Sequence, residues 1–365
     1  MKKRTILIML LIFCISCTTL NINQVQKKNT GHSQEILFDM LAYIPEGLVD
    51  YHPADLYGMQ INYFDFEVMR KDLKLPDIDG TASWEDKLKL IIGYQFEGLQ
   101  GFPQDLDPAN HDTYAAYGFD LADISQSLVL VDQDAAILRG TFDARNIDQA
   151  LLTKNYAVSL GMKFAVYTGN EDQYCFGISE EVILIGQTCD DVETMIWQKD
   201  NPERSASQMV QIRQMVQKTH NPHGLTLLSS GDLPAFNLKM DEIVKMTPYL
   251  EDILMKDNNN YQLDWEYVLV TYHALSEQTD LDLFYIFPTE ALAIEYLPIV
   301  EDALTNTPSF VNYHNLSWSE LLTIKSMETQ SQLIHVTATT NGKNFLGNRF
   351  LSNDFYGLIP LKQIE

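Results

Sequence analysis

Apolar positions along the chain fall into short runs separated by Gly, Pro, Asn and acidic residues, the texture of strands and modest helices. Met40 to Ile44, ahead of Pro45, predicts a short strand, and Met59 to Phe64 alternates as a second. Asp65 is placed to cap a helix through Leu73, with Phe66, Met69 and Leu73 on one face. Ser83 and Asp86 have capping-box spacing ahead of a helix that Gly98 ends, and residues 99–116 read as a long loop. Ser127 to Val131 and Ala136 to Phe142 predict strands about a turn at Asp132 to Asp134. A helix over Asn146 to Tyr156 follows, then a strand over Lys163 to Thr168. Tyr174 to Ile178 and Val182 to Ile185 form a hairpin across Ser179 to Glu181, and Asp190 or Asp191 caps a helix through Trp197.

The order strand-strand-helix-strand-strand returns in the C-terminal part. Trp265 to His273 pairs with Leu281 to Phe287; a helix over Thr289 to Leu304 is interrupted at Pro298; Leu321 to Ser326 pairs with Leu333 to Thr339. These repeats suggest two copies of one module, about 120–197 and 262–341, sharing element order more than residues. Between them Ser205 to Lys218, Leu238 to Met246 and Pro248 to Met255 read as helices, with Met209, Ile212, Met215 and Val216 as an apolar stripe suited to a core. The expected fold is α+β, with largely antiparallel sheets and helices, because hairpins join neighbouring strands directly. The expected divisions are 1–16, 17–35, an N-terminal α+β module at 36–200, a helical insert at 201–260 and a C-terminal α+β module at 261–365.

Composition narrows the function classes. The chain has 365 residues, 45% of them hydrophobic and 11% aromatic, which a disordered chain does not have. Its formal net charge of −25 argues against nucleic acid as a partner and against adsorption on anionic lipid. Four cysteines in this length do not make a disulfide-dense mini-domain.

The N-terminus has its own chemistry. Lys2, Lys3 and Arg4 precede an apolar run, Ile6 to Ile15, too short to span a bilayer, with the small Ser16 behind it. That is the layout of a secretory signal peptide over 1–16. Ile15, Ser16 and Cys17 resemble the lipobox of bacterial lipoproteins, with Cys14 in place of the usual Leu. The resemblance implies a diacylglyceryl group on Cys17, palmitate among its acyl chains, with Cys17 as the new N-terminus. Ordinary cleavage ahead of Cys17 is the alternative, since Cys14 and Ser16 are both small. Thr18 to Gln34 is polar and aperiodic, so 17–35 reads as a lipid-anchored flexible tether. Removing residues 1–16 takes three basic and no acidic side chains, giving −25 − 3 = −28 for the mature chain.

Chemistry in the body is sparse. Cys175 and Cys189 are a candidate disulfide in an exported chain, although a turn at Glu180 and Glu181 sets Cys175 opposite Gly186, three residues short of Cys189. Asp77 to Gly80 has an EF-hand flavour, but Leu75 would occupy the first loop position and Asp86 the twelfth, so a turn is expected there. His220 and His223 flank Pro222, which breaks any helical metal pair, and a solvated loop is expected. Ser229 to Asp232 lacks the flanking glycines of a nucleophile elbow and reads as a cap or turn. Asn315 to Ser317 is a glycosylation sequon. No metal site and no cofactor are expected, and no catalytic residues can be picked from so many carboxylates.

Asn62 to Asp65 leading into Phe66 to Arg70, Gly118 to Ile124, and Gly140 to Asp143 ahead of Ala150 and Leu151 are together similar to uncharacterised exported proteins and lipoproteins of bacteria. The resemblance covers about 40–197 and implies an extracytoplasmic α+β protein, with no activity attached. The expectation is a lipoprotein anchored at the bacterial cell membrane and facing outside the cytoplasm. Its role is expected to be binding or envelope-associated rather than catalytic, with the membrane as partner through the lipid and the protein or small-molecule ligand open. An apolar-ligand carrier with a Met- and Phe-lined cavity is one alternative, and a secreted hydrolase another.

Overall fold

The computed structural model describes residues 34–49, 60–72, 116–119, 123–130, 135–170, 173–219, 222–229, 260–262, 264–274, 278–306, 318–340 and 362–364. The segment expected to be a signal peptide, Cys17, Asp77 to Asp86, the loop expected from residue 99, Leu238 to Met255 and the sequon lie outside them.

Helix α1 covers residues 34–41. Here the strand expected at Met40 to Ile44 gives way to the end of a helix and a turn. Ile36, Leu37, Met40, Leu41 and Ile44 are all buried, and that i, i+3, i+4 spacing suits a helix facing a core. The short helix α2 (Glu46–Val49) follows. Strand β1 (Gln60–Asp65) runs into α3 (Phe66–Asp72). The Val68 N–H donates to Asp65 Oδ1 at 3.0 Å, which makes Asp65 the cap that its position suggested.

Strands β2 (Ile124–Leu130) and β3 (Ala135–Gly140) pair antiparallel. Asp143 caps α4 (Ala144–Thr153) by accepting from the N–H groups of Arg145 and Asn146. Then come β4 (Ala157–Leu160), β5 (Ala165–Thr168), β6 (Cys175–Ile178) and β7 (Val182–Gly186), an antiparallel meander. Strand β4 is absent from the sequence reading because all four of its residues are exposed and carry no buried alternation. Helix α5 (Cys189–Asp200) is capped by Thr188, not by Asp190 or Asp191; Asp191 serves as the returning partner of a capping box.

Helix α6 (Val210–Val216) buries Ile212, Met215 and Val216. The expected helical insert then departs from expectation, since Gly224–Ser229 is strand β8, buried at every position. A strand covered on both faces shows no alternation, so its sequence carries no period of two. After β9 (Asn260–Gln262) come β10 (Tyr267–Ala274) and β11 (Thr279–Ile286). Helix α7 (Glu290–Asn306) continues through Pro298 without dividing, its face of Ala293, Tyr296, Val300, Ala303 and Leu304 buried. The contacts of that face hold the helix through the residue expected to interrupt it. Helix α8 (Trp318–Leu321) leads into β12 (Leu322–Gln330) and β13 (Leu333–Thr340), joined at Ser331, whose φ is 55°. The short β14 (Lys362–Ile364) pairs with β9.

The fold is α+β, built among the described residues on an antiparallel sheet of 12 strands in the order β12-β13-β11-β10-β8-β1-β2-β3-β7-β6-β5-β4. Strands β1 and β8 pair at its middle. Outward from them each half has a hairpin (β2-β3 or β10-β11), a helix (α4 or α7), and then further antiparallel strands, four in one half (β4 to β7) and two in the other (β12 and β13), the last of which pairs with the hairpin's second strand. The repeated element order seen in the sequence is thus laid out on either side of the β1–β8 pair.

Alternate residues of each strand face opposite layers. Val268, Val270 and Tyr272 join Ile147, Leu151, Tyr296 and Trp318 in one core. Leu269 joins Leu37, Met40, Met195, Ile212 and Met215 in the other. Helices α4, α7 and α8 therefore cover one face, and α1, α5 and α6 the other. No described helix is long and apolar enough to cross a membrane.

Candidate functional site

Three strands end together at the middle of the sheet. The β8–β10 register sets Gly224 opposite Tyr272, so the next residues outward, His223 and His273, come side by side. Their rings lie 4.1 Å apart, centroid to centroid, tilted by 38°. The His223 backbone is held on both flanks: its N–H donates to the Tyr272 carbonyl at 2.9 Å, and its carbonyl accepts from the Asp65 N–H at 3.0 Å. Asp65 starts α3 and Asp72 ends it, so one short helix carries a carboxylate back to the two imidazoles.

His223 Nε2 lies 3.2 Å from Asp72 Oδ2, and His273 Nε2 lies 3.5 Å from the same oxygen. One ligand atom from each of the three residues lies within 4.8 Å of the others. The His223 side chain is fully buried, while those of Asp72 and His273 are 34% and 29% exposed. The cluster thus has a dry inner side and a wet outer one. Burial holds the His223 pKa down at about 4, helped by the neighbouring His273 and opposed by the Asp72 hydrogen bond and charge. His223 is therefore a neutral imidazole at pH 7. Two imidazoles and one carboxylate converging on one volume can share a proton or hold a cation.

Glycine at 224 is a requirement of this corner. A Cβ there would sit 2.2 Å from the Tyr272 ring, which lies over the strand and 6.5 Å from the Phe64 ring. On the β1 side, Asp65 is buried with its pKa raised, chiefly by burial. It accepts from Val68 N–H at 3.0 Å, Gln126 Nε2 at 3.3 Å and Tyr63 OH at 3.2 Å. Those bonds account for Asp65 as a structural cap and anchor, not as a free acid in a cleft.

The residues singled out in the sequence fall elsewhere or change character. His223 is buried, not in a solvated loop, because the unread strand β8 begins beside it; His220 lies outside the described residues. Ser229 closes β8 rather than a turn, and its hydroxyl donates to the Val49 carbonyl at 2.6 Å. Cys175 and Cys189 are joined by a disulfide, with Cα atoms 5.1 Å apart. Cys175 does pair with Gly186, and the chain doubles back through Gln187 and Thr188 to bring the first residue of α5 over β6. The apolar stripe of α6 packs so closely against Leu37, Ile61 and Leu227 that the space left is about 10 Å³. His273 and Asp72 were not anticipated. They stand 50 or more residues from His223, and only the strand order brings them together.

No family model matches the chain, and no curated protein matches it. Among solved structures it is similar to three crystal forms of TP0453, each 10% identical in sequence. Crystal form III gives a TM-score of 0.37 and covers 84% of this chain and 96% of that one. Form I gives 0.36 with 86% and 98%, and form IV gives 0.39 with 84% and 96%.

Proposed function

We propose that the protein is a lipid-anchored, extracytoplasmic lipoprotein of the bacterial cell membrane, whose α+β body serves as a binding module. The observation that carries this reading is the Cys175–Cys189 bond within the body. Disulfides persist in oxidising compartments and are rare where glutathione keeps thiols reduced. A signal-peptide pattern ending at Cys17 accounts for how such a body would reach that compartment, and Cys17 would carry the lipid.

The attachment point of α1 fits a tether. Gln34 Nε2 donates to the Thr219 carbonyl at 2.8 Å, and Asp39 pairs with Lys199, whose Nζ also donates to the Asp39 carbonyl at 2.9 Å. Residues 17–33 would join the lipid to this docked helix with a reach of at most about 60 Å. A mature charge of −28 would keep such a body off anionic lipid while the acyl chains hold it near.

The test is Cys17→Ser in the producing cell. Acyl labelling should vanish and the protein should leave the membrane fraction, while the disulfide in the released body stays intact. Unchanged labelling and fractionation would refute the anchor.

A further inference from the structure

We propose that Asp72, His223 and His273 form a binding site for one divalent transition-metal ion of the zinc class. The argument is geometric. In a tetrahedral site with bonds of 2.0–2.2 Å, neighbouring ligand atoms stand about 3.3 Å apart. Here the two imidazole Nε2 atoms stand 3.2 and 3.5 Å from one carboxylate oxygen, and the three ligand atoms all lie within 4.8 Å. Both nitrogen-to-oxygen spacings are thus already those of a tetrahedral site.

The donor set selects the metal. Two nitrogens and one carboxylate suit zinc, cobalt or nickel. Calcium and magnesium call for six or more oxygens and find too few here. Three protein ligands leave the fourth position for water or a small anion, on the side where Asp72 and His273 meet solvent. The scaffold is rigid where it needs to be: His223 is held at both its N–H and its carbonyl, and the ligands come from two adjacent central strands and a capped helix.

His335 offers an internal contrast. Its Nε2 lies 2.8 Å from Asp282 and its Nδ1 lies 3.9 Å from Glu328. The two acids thus sit on opposite sides of the ring and share no volume for an ion. The acidic character of the whole chain adds a general attraction for cations, but among the described residues only the Asp72 cluster converges.

The experiment is titration of the metal-free mature protein with Zn²⁺ alone, read by calorimetry and by thermal unfolding, with Co²⁺ as a spectroscopic probe. One Zn²⁺ per chain should bind and raise the melting temperature. Co²⁺ should develop the visible absorption of a low-coordinate nitrogen and oxygen site, and Ca²⁺ and Mg²⁺ should do neither. Asp72→Ala and His273→Ala, at partly exposed positions, should each weaken Zn²⁺ binding by about tenfold or more. His335→Ala should leave it unchanged. Absence of binding at millimolar Zn²⁺ overturns the proposal. So does binding that persists undiminished in the folded Asp72→Ala, His273→Ala double variant. The result is independent of the anchor at Cys17, because it uses the mature body in solution.

Discussion

The His223 and His273 rings lie 4.1 Å apart although 50 positions separate them in the chain, and both address Asp72. Burial disfavours protonation of His223, and the neighbouring His273 adds to that. Burial is the larger cause, since the His223 side chain has no solvent to share its charge. The carboxylate offsets part of it. The result is a cluster whose inner member stays neutral through the physiological range.

Acid sensitivity follows. His223 titrates near 4 in the folded protein against 6.5 in an unconstrained chain. Between those values the unfolded chain binds more protons than the folded one, so stability rises with pH. This contribution is complete above about pH 6.5 and is lost as pH falls toward 4, with an upper bound of about 3 kcal/mol. Urea unfolding at pH 7 and pH 4.5 should show a lower midpoint at the acid value. In His223→Gln that fall should shrink, and an undiminished fall would assign it to other groups.

Asp65 titrates with the opposite sign. Burial raises its folded pKa above the ordinary aspartate value of 3.8, so the fold favours its protonated form. Its contribution to stability is present below the ordinary carboxylate range and is lost as pH rises through the raised value. At pH 7 Asp65→Asn should therefore be neutral or stabilising, because Asn keeps the cap and drops the buried charge. Asp65→Ala strands the Val68 N–H, Gln126 and the Tyr63 hydroxyl, and should cost about 1–3 kcal/mol in the same measurement. Equal stabilities for the two variants would show that the charge, not the hydrogen bonds, sets the energetics.

The sequence carried the outer parts of this fold better than its centre. Hairpins such as β6-β7 and β12-β13 announce themselves, because a polar turn separates two apolar runs. Caps are legible too: Asp65 and Asp143 stand where a strand hands over to a helix. Strand β8 is not legible, since burial of Gly224 to Ser229 on both faces removes the alternation that marks a strand. Missing it hid the join between the two halves and placed His223 in solvent. Asp72 and His273 are single polar residues at the ends of elements, and nothing local distinguishes them from surface residues. Their meeting is a product of strand order, which long-range pairing decides.

The corner under the cluster should respond to small changes in volume. Gly224→Ala drives a Cβ to within 2.2 Å of the Tyr272 ring, which is buried and has nowhere to retreat. Overpacking of this kind costs about 1–3 kcal/mol. Tyr272→Phe has the contrary expectation, because the Tyr272 hydroxyl is buried without a hydrogen-bond partner among the described residues. Removing it should leave stability unchanged or raise it by up to about 1 kcal/mol. Melting temperatures of the two variants should move apart; a destabilised Tyr272→Phe would mean that the hydroxyl makes a bond that the fold depends on.

The Cys175–Cys189 bond should matter more than its short loop suggests. It spans 14 positions, which in the chain-entropy view stabilises the fold by about 3 kcal/mol. It also fastens the first turn of α5 to β6, and α5 buries Val192, Met195 and Gln198 behind it. Thr188, inside the ring, and Asp191, just beyond it, cap the same turn through their mutual hydrogen bonds. Reduction should therefore lower the melting temperature without unfolding the sheet, because the cap and the buried face keep α5 in place. Cys175→Ser should cost more than Cys189→Ser: Cys175 is only 2% exposed, and a hydroxyl there must find a bond inside the core. Thermal melts of both variants, with and without reductant, check this order. Variant melts that still shift with reductant would place the effect outside this bond.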